Sequence, residues 1–225
     1  GKLGTLSHVA NAYAAEKQHW LQVFGTPENR ALIKVHRQVR KQAVASGYRS
    51  PFGLQARMWK LALVDAADTL DRYWRSLFAD IRRKLSRRED LSECERHYGN
   101  WLMAGYGQFF SCLSKKVPEP PFPHESARLL KIAAWVRKQV GMRRGALPSV
   151  KIARSFVLDA DCYRVFFHNG IQYIGVMTLE PKKRLVMPLL GNAAVGGNIR
   201  VVVGAKGVTV HTGHALKTRE ALQGP

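Results

Sequence analysis

The sequence predicts an α+β fold, in which a helical region comes first and a small antiparallel β-barrel follows it. Apolar residues recur at steps of three or four through the first part of the chain, as they do in helices with one buried face. Within this part, residues 117–123 hold four prolines, which form a stiff linker. From Lys151 onward, apolar and polar residues alternate, as in half-buried strands. We therefore predict a helical region over residues 1–146, with its proline-rich linker at 117–123, and a barrel region over residues 147–225.

Each predicted helix follows from its apolar spacing and from the residues at its ends. The long third helix starts after Pro51 and carries apolar residues at helical steps from Met58 to Leu85, as a buried stripe requires. Thr26 and Pro27 favour the start of the second helix, and Gly47 favours its end. The predicted helices cover residues 6–24, 27–46, 52 to near 88, 89–113 and 125–140. Gly99, Gly105 and Gly107 interrupt the fourth of these helices, and the segment 141–148 ends the fifth.

Six short strands are predicted after the helices, at residues 155–158, 162–167, 171–178, 184–189, 199–203 and 208–211. Asn169-Gly170 lies between the second and third strands and is the strongest short signal for a hairpin turn. Residues 182–203 place two apolar runs around a glycine-rich segment, which predicts a barrel hairpin whose glycines form the turn. Short strands with tight turns favour a closed barrel, because closure removes exposed strand edges.

The charge of the chain indicates a polyanionic partner. Lys and Arg number 36 against 16 Asp and Glu, which gives a net charge of +20. Such an excess repels itself unless a polyanion neutralises it, so nucleic acid is the favoured partner, with an anionic membrane surface or a merely basic soluble protein as alternatives. An apolar fraction of 46% and five Trp exclude global disorder.

Sequence signals for a membrane or an oxidising compartment are missing. No apolar run has the length of a membrane span, and no signal-peptide pattern opens the sequence. We therefore expect no membrane partner and a cytoplasmic location, associated with the nucleoid if the source is prokaryotic. Three widely spaced cysteines without a CxxC pair indicate reduced, structural thiols rather than a zinc site.

The candidate nucleic-acid contacts are groups of cations on predicted helices and loops. Arg30, Lys34, Arg37 and Lys41 recur at helical steps without an intervening acid, which predicts a row of phosphate contacts, with a solvated face as the alternative. The end of the third helix carries Arg82, Arg83 and Arg87, which either contact phosphates or form a solvated helix end. Further candidates are Arg143 and Arg144 at the junction of the two regions, and Tyr48 and Arg49 in a loop where an aromatic ring could stack on a base.

Catalytic and metal-binding patterns are missing from the sequence. Asp65, Asp68 and Asp71 recur on one helix, but nearby arginines make an ion-paired helix face the better interpretation than a metal site. The eight histidines show no metal-ligand spacing, and no nucleophile elbow or phosphate-binding loop occurs. We therefore predict no catalytic and no metal-binding residues in this chain.

The strand region resembles the segment that precedes the nuclease domain in transposon-encoded proteins of the TnpB family, the small relatives of type V CRISPR effectors. The shared pattern is a Y-x-V…NG-x-Y-I hairpin, then T-L…K-R-x-V-x-P-L-x-G, then G-x-I-R-V-V. It is matched by Tyr163, Val165, Asn169, Gly170, Tyr173, Ile174, Thr178, Leu179, Lys183, Arg184, Val186, Pro188, Leu189, Gly191, Gly197, Ile199, Arg200, Val201 and Val202. More loosely, residues 66–75 resemble the family's helix before its basic connector.

The resemblance implies a helical recognition lobe and a wedge-like barrel that together hold a guide RNA and its target DNA. In such an arrangement Lys182, Lys183, Arg184 and Arg200 extend the cationic surface of the helices onto the strands. A hybrid duplex is recognised through its geometry and backbone charge, which suits rows of Arg and Lys. The expected function is therefore that of an RNA-guided DNA-binding segment of a TnpB-like transposon-associated protein.

The chain departs from the family where the nuclease would begin. Family members continue into a RuvC-type nuclease with three acidic metal ligands, whereas after residue 203 the only acidic residue is Glu220. We therefore expect no cofactor in this chain, a divalent metal belonging only to the missing nuclease domain, and we leave open whether the protein acts as an enzyme. The chain is expected to be either a piece of a longer protein or a naturally nuclease-free RNA-guided regulator, and a general basic RNA-binding protein is the third alternative.

Overall fold

A computed structural model describes residues 1–26, 29–114, 117–144, 147–191 and 194–212 of the chain. In these ranges helices precede strands and all strand pairs are antiparallel, so the predicted α+β class is confirmed. The helices are α1 (Lys2–Gly25), a 3₁₀ helix (Arg30–Val35), α2 (His36–Ala45), α3 (Ala56–Ser86), α4 (Glu93–Leu102), α5 (Tyr106–Leu113) and α6 (Ser126–Arg144). The strands are β1 (Ser155–Leu158), β2 (Tyr163–His168), β3 (Ile171–Met177), β4 (Arg184–Pro188), β5 (Ile199–Val203) and β6 (Val208–Thr212).

Two compact units combine segments that are distant in the sequence. The first unit contains residues 1–20, 40–66 and the described residues from 150 to 212. The second contains residues 21–39 and the described residues of 67–149. The boundary predicted at residue 146 describes the order of helices and strands along the chain, whereas each compact unit takes residues from α1, α2 and α3.

The strands form two separate sheets rather than one closed barrel. One sheet has the order β1-β5-β6 and the other has the order β2-β3-β4. In the residues that the structure describes, no ladder joins the two sheets, so the predicted barrel is not confirmed. The strand periods were sufficient to find the strands, but the pairing of β1 with β5 skips three intervening strands, and alternation within a strand carries no information about such a partner.

The glycine-rich segment that was predicted to close a barrel hairpin instead connects the two sheets. β4 pairs with β3, and β5 pairs with β1 and β6, so the hairpin predicted over residues 182–203 is wrong. Gly191 and Gly197 have φ of 83° and 66°, which explains why glycine stands at these turns. The hairpin predicted at Asn169-Gly170 is confirmed, since both residues have positive φ between β2 and β3.

Three of the predicted helices differ from the observed ones. The helix predicted over residues 27–46 is a 3₁₀ helix followed by α2, and the 3₁₀ geometry turns Arg30 and Ile33 to the same, buried side. The helix predicted over residues 89–113 is two helices, α4 and α5, separated at residues 103–105. α6 continues through Gly141 to its end at residue 144, because one glycine costs a helix only about 1 kcal/mol.

The core of the first unit packs α1 against the strands. Tyr13 of α1 lies beside Phe156 of β1, with ring centroids 6.5 Å apart and both side chains buried. The adjacent Asp65 is also buried, and its carboxylate lies 3.1 Å from Lys17 Nζ and 3.3 Å from an Arg200 guanidinium nitrogen. A buried carboxylate requires such compensation, so this cluster holds α1, α3 and β5 in place.

The core of the second unit is formed by the buried stripe of α3 and by α4–α6. Ser92 and Glu95 start α4 with a reciprocal capping box, which satisfies two of its free backbone N–H groups. A side chain at Gly99 would bring its Cβ within 2.9 Å of Leu85 Cδ2, so glycine there lets α4 approach α3 without displacing the Leu85 side chain. Within the described ranges no helix combines the length and the apolar character needed to cross a bilayer.

Candidate nucleic-acid interface

Arg30, the first cation of the predicted row, is buried rather than exposed. Its side chain is only 5% exposed, and its guanidinium carbon lies 5.5 Å from the ring centroid of Trp74 and 5.9 Å from that of Phe110. A guanidinium stacked on aromatic faces in this way stabilises the second unit. The prediction that Arg30 belongs to an exposed cationic row is therefore wrong, because the 3₁₀ turn points it inward.

Lys34, the second cation of that row, is exposed but has partners within the protein. Its Nζ lies 2.6 Å from Asp71 Oδ1 and 4.9 Å from the ring centroid of Tyr106. The same carboxylate pairs with Arg75, whose Nε lies 2.7 Å from Asp71 Oδ2. A shared carboxylate neutralises part of this cluster, so Lys34 presents less uncompensated charge than its exposure suggests.

A cationic groove lies between α2 and the first turns of α3, within the first compact unit. Its volume is about 510 Å³, in the range of binding clefts. Arg40 and Lys41 of α2 form one wall, and Arg57 and Lys60 of α3 form the other. The remaining lining residues are Val44, Ala45, Leu61 and Asp159. We call this feature the α2–α3 groove.

The cations of the α2–α3 groove differ in whether a carboxylate neutralises them. Arg57 Nε lies 2.5 Å from Asp159 Oδ2, its Nη2 lies 2.6 Å from Asp161 Oδ2, and the hydrogen bond to Asp159 raises the pKa of Arg57. Arg40, Lys41 and Lys60 form no ion pair with any described residue, and we call such cations uncompensated. Lys60 Nζ also lies 5.7 Å from the ring centroid of Trp59, a contact that leaves its charge without a carboxylate. The groove therefore carries three uncompensated cations beside one that is fixed in place by the end of β1.

The loop after α2 is held by a buried carboxylate. Glu16 accepts hydrogen bonds from Trp20 Nε1 at 2.8 Å, Tyr48 Oη at 2.8 Å and Ser50 Oγ at 2.6 Å. The Tyr48 ring also packs edge-on against Trp59, with centroids 5.0 Å apart. Burial, followed by the hydrogen bond to Glu16, raises the pKa of Tyr48 well above its ordinary value. Tyr48, predicted as a base-stacking residue, is thus engaged in a packed aromatic cluster.

Other predicted cations are exposed, and they lie at several separate places in the structure. Those without an ion pair to any described residue are Arg37, Arg49, Arg82, Arg83, Arg87 and Lys182. Arg82, Arg83 and Arg87 lie at the end of α3, where the helix dipole favours positive charge. Arg143 and Arg144 end α6, and their side chains lie outside the described part of the structure.

The predicted cations of the strand region are mostly bound to groups of the protein itself. Lys183 pairs with Glu180, and Arg200 pairs with Asp65. The Arg184 guanidinium donates to the backbone carbonyls of Asp161 at 3.1 Å and Gly175 at 3.5 Å. These interactions explain the presence of Lys183 and Arg200 by local structure, so a ligand is not required to account for them.

Three residues of the α2–α3 groove were missed by the sequence analysis, namely Arg40, Arg57 and Lys60. A signal for them exists, since residues 29–64 contain eight Lys and Arg and no Asp or Glu. Arg57 and Lys60 are also three residues apart and so share one helix face. The sequence could not show that this face of α3 lies beside α2, because helix pairing depends on tertiary packing.

The acidic and thiol groups do not form a metal site among the residues that the structure describes, where no three His, Cys, Asp or Glu side chains come together. Asp65 and Asp71, the ends of the predicted carboxylate row, are bound by Lys and Arg as given above. Cys94 is exposed, whereas Cys112 and Cys162 are buried, and burial raises the pKa of Cys162 to about 12. Such a thiol stays protonated and unreactive.

No family model, curated protein or solved structure matches this chain. The likeness to the TnpB family therefore stays a prediction based on the residues quoted for it. Some of these residues have clear structural roles: Asn169 and Gly170 form the β2–β3 turn, and Tyr163 Oη of β2 donates to the carbonyl of Gly197, just before β5, at 2.9 Å.

Proposed function

We propose that this chain binds the sugar-phosphate backbone of RNA in the α2–α3 groove. The observation that carries the proposal is the group of three uncompensated cations, Arg40, Lys41 and Lys60, on two facing walls of one cleft. Each cation that neutralises a phosphate releases a condensed counterion, which makes such a cleft attractive to nucleic acid. The acid-free stretch at residues 29–64 supports the same conclusion.

The lining of the groove favours contact with the backbone over contact with bases. Its apolar members are the aliphatic Val44, Ala45 and Leu61, and no aromatic ring is among the eight described residues that line it. Stacking on a base requires a flat π surface, whereas a phosphate requires only charge and hydrogen-bond donors. Binding in this groove should therefore depend on backbone charge and geometry, and only weakly on sequence.

We further propose that the chain performs this role as the RNA-guided DNA-binding segment of a TnpB-like protein. The support for this is the sequence pattern from Tyr163 to Val202, together with the net charge of +20. In such a protein the helices form a recognition lobe, the strands form a wedge-like region, and an RNA–DNA hybrid is held through its shape and backbone. The activity of the whole protein would require nuclease residues that do not occur in this chain.

The groove proposal predicts a specific change in salt dependence. We expect the triple variant Arg40→Gln, Lys41→Gln, Lys60→Gln to bind a structured RNA hairpin roughly a hundredfold more weakly at about 0.1 M salt. The slope of log affinity against log salt concentration should fall in magnitude by about 2 to 3, because each lost phosphate contact removes about 0.9. Fluorescence anisotropy titrations at several salt concentrations provide both values.

A control variant with the same charge change separates the groove from net charge. The triple variant Arg75→Gln, Arg128→Gln, Lys183→Gln also removes three cations, but each of these is exposed and has a carboxylate partner. We expect this variant to change the slope by less than about 1. Equal losses in the two triple variants, with both still folded by circular dichroism, would show that net charge alone drives binding and would overturn the groove proposal.

The RNA-guided role is tested by the RNA that the protein carries. Purification without nuclease treatment, followed by sequencing of bound RNA, should return one discrete structured species. Heparin should compete poorly with that RNA, because specific binding exceeds the nonspecific electrostatic contribution. A random mixture of RNA that heparin displaces completely would favour the general basic RNA-binding protein instead.

A further inference from the structure

The sheet formed by β2, β3 and β4 has an exposed face that carries aromatic side chains. The β2–β3 register places Phe166 opposite Tyr173 and His168 opposite Ile171, and alternate residues of a strand share a face. Phe166 is 41% exposed, Ile171 is 47% exposed and His168 is exposed. We call this surface, which the β4 residues Arg184, Val186 and Pro188 complete, the aromatic sheet face.

Phe166 and Tyr173 form a flat stacked pair at the centre of this face. Their ring centroids are 5.6 Å apart and their planes differ by only 13°. The strand that carries Tyr173 is held in place, because Ile174 and Val176 on the opposite face of β3 are buried in the core. Aromatic rings held nearly parallel on an exposed sheet are surfaces on which single-stranded nucleic acids stack their bases.

The charges on the aromatic sheet face suit the same ligand. Arg164 is exposed, lies next to Phe166 on this face, and forms no ion pair with any described residue. The Arg184 side chain lies over Gly175, and its guanidinium donates to the Gly175 carbonyl at 3.5 Å. None of the residues that the register places on this face is Asp or Glu. The face therefore combines stacking surfaces with cations and lacks charges that would repel phosphate.

The second sheet shows that this composition is not a general property of the exposed strands. On the outer face of β1-β5-β6 the register places Ser155 and Val157 beside Val202 and Arg200, with Thr209 and His211 on β6. That face has no Phe, Tyr or Trp, and its Arg200 is bound to Asp65. Of the two described sheets, only β2-β3-β4 carries an aromatic pair on its exposed face, where Phe166, Ile171 and Val186 keep apolar surface in contact with solvent.

The geometry points to the aromatic sheet face as a stacking platform for unpaired RNA nucleotides, distinct from the backbone-binding α2–α3 groove. This inference rests on the proposed RNA-binding function for the identity of the ligand. Each stacked base should strengthen binding by roughly tenfold. Paired regions of the RNA would contact the groove through phosphates, and an unpaired segment would place its bases on Phe166 and Tyr173.

An oligomer without bases separates the two sites. We expect the protein to bind oligoadenylate at least tenfold more tightly than an abasic ribose-phosphate oligomer of equal length and charge. The double variant Phe166→Leu, Tyr173→Leu should lose that preference and keep its affinity for the abasic oligomer. The groove variant Arg40→Gln, Lys41→Gln, Lys60→Gln should weaken both oligomers and keep the preference. The matched control is Phe167→Leu, which alters an exposed ring on the opposite face of the same hairpin and should change neither value.

Each outcome decides one of the two proposals. Equal affinity for the two oligomers in the unmodified protein would overturn the stacking platform and leave the groove intact. No salt-dependent binding of either oligomer would overturn the groove. A dimer that the Phe166→Leu, Tyr173→Leu variant dissociates, measured by analytical ultracentrifugation, would show that a second copy covers the face and would also overturn the platform.

Cross-linking gives a test that needs no variant. Ultraviolet irradiation of the unmodified protein with an oligonucleotide containing 5-iodouracil should attach RNA to the peptide that carries Phe166 and Tyr173. Mass spectrometry after proteolysis locates the attachment site. Attachment confined to peptides outside β2 and β3 would contradict the inference even if the double leucine variant did not fold.

Discussion

The cations of the 3₁₀ helix and those of α2 follow each other in sequence but have different surroundings. Arg30 and Lys34 of the 3₁₀ helix contact aromatic rings and Asp71 within the second unit. Arg40 and Lys41 of α2 line a groove and form no ion pair with described residues. The same residue types, spaced at apparently regular steps, thus serve folding in one segment and remain uncompensated in the next.

This difference shows how an excess of positive charge can be divided between structure and ligand. A cation with a carboxylate partner, or one buried against aromatic rings as Arg30 is, contributes to the stability of the protein, and a ligand must compete with that partner for it. An uncompensated cation on a groove wall contributes little to stability and can neutralise a phosphate. Stability and RNA affinity should therefore respond to different cations, and the following predictions test that separation.

The largest expected effect is on stability, at Arg30. We expect Arg30→Ala to lower the free energy of unfolding by about 3 kcal/mol, because it removes a buried stem and the guanidinium over Trp74 and Phe110. Arg30→Met keeps the stem and should cost only about 1 kcal/mol. Urea unfolding measures both values. If Arg30→Ala instead weakened RNA binding about tenfold and left stability unchanged, the division between structural and ligand-binding cations would be wrong.

A smaller effect, on binding, separates Lys41 from Lys34. We expect Lys41→Gln to lower RNA affinity by roughly eightfold at about 0.1 M salt, the loss of one phosphate contact. Lys34→Gln removes an equal charge but breaks the ion pair with Asp71, so it should reduce affinity by less than about twofold and stability by less than about 1 kcal/mol. Anisotropy titrations of the two variants side by side measure this difference. Equal affinity losses would contradict the comparison.

The sequence predicted the strands and most helices well because their signals are local. The period-two runs located all six strands within one or two residues, and Asn169-Gly170 located one turn. The 3₁₀ helix was missed because its cations recur at steps that also fit an α-helix. Only the packing of Arg30 on Trp74, a contact between residues distant in sequence, distinguishes the two geometries.

Tertiary features of the candidate sites were beyond the sequence for a related reason. The α2–α3 groove requires two helices to lie side by side, and the aromatic sheet face requires Phe166 and Tyr173 to be in register across two strands. The hairpin turn was predicted correctly, and with it the register could have been counted. What alternation could not show is which face of β2-β3-β4 the core covers, since both faces carry apolar residues.

The smallest expected effect concerns Lys131, another cation with a carboxylate partner. Its Nζ lies 2.8 Å from Glu95 Oε1, and this contact, followed by the capping bonds to Ser92, lowers the pKa of Glu95 to about 2. A carboxyl whose pKa is lower in the folded state stabilises the fold above the pKa of the unfolded chain, about 4.3, and this stabilisation is lost as the pH falls toward 2. We expect the stability difference between the unmodified protein and Glu95→Gln to be constant above about pH 5 and to shrink steadily from there toward pH 2.

Urea midpoints measured across this pH range test whether Lys131 is one of the cations that stabilise the protein rather than bind RNA. Glu93→Gln is the matched control, since Glu93 also lies in the first turn of α4 but has no ion pair with any described residue. The stability difference between the unmodified protein and Glu93→Gln should stay small at every pH. Only the Glu95 carboxylate, which caps α4 and pairs with Lys131, stabilises the fold when it ionises. Lys131→Gln should leave the salt slope of RNA binding unchanged. A fall in that slope by about 0.9 would show that a cation with a carboxylate partner can still bind phosphate. The presence of such a partner would then no longer distinguish cations that stabilise the protein from cations that bind RNA.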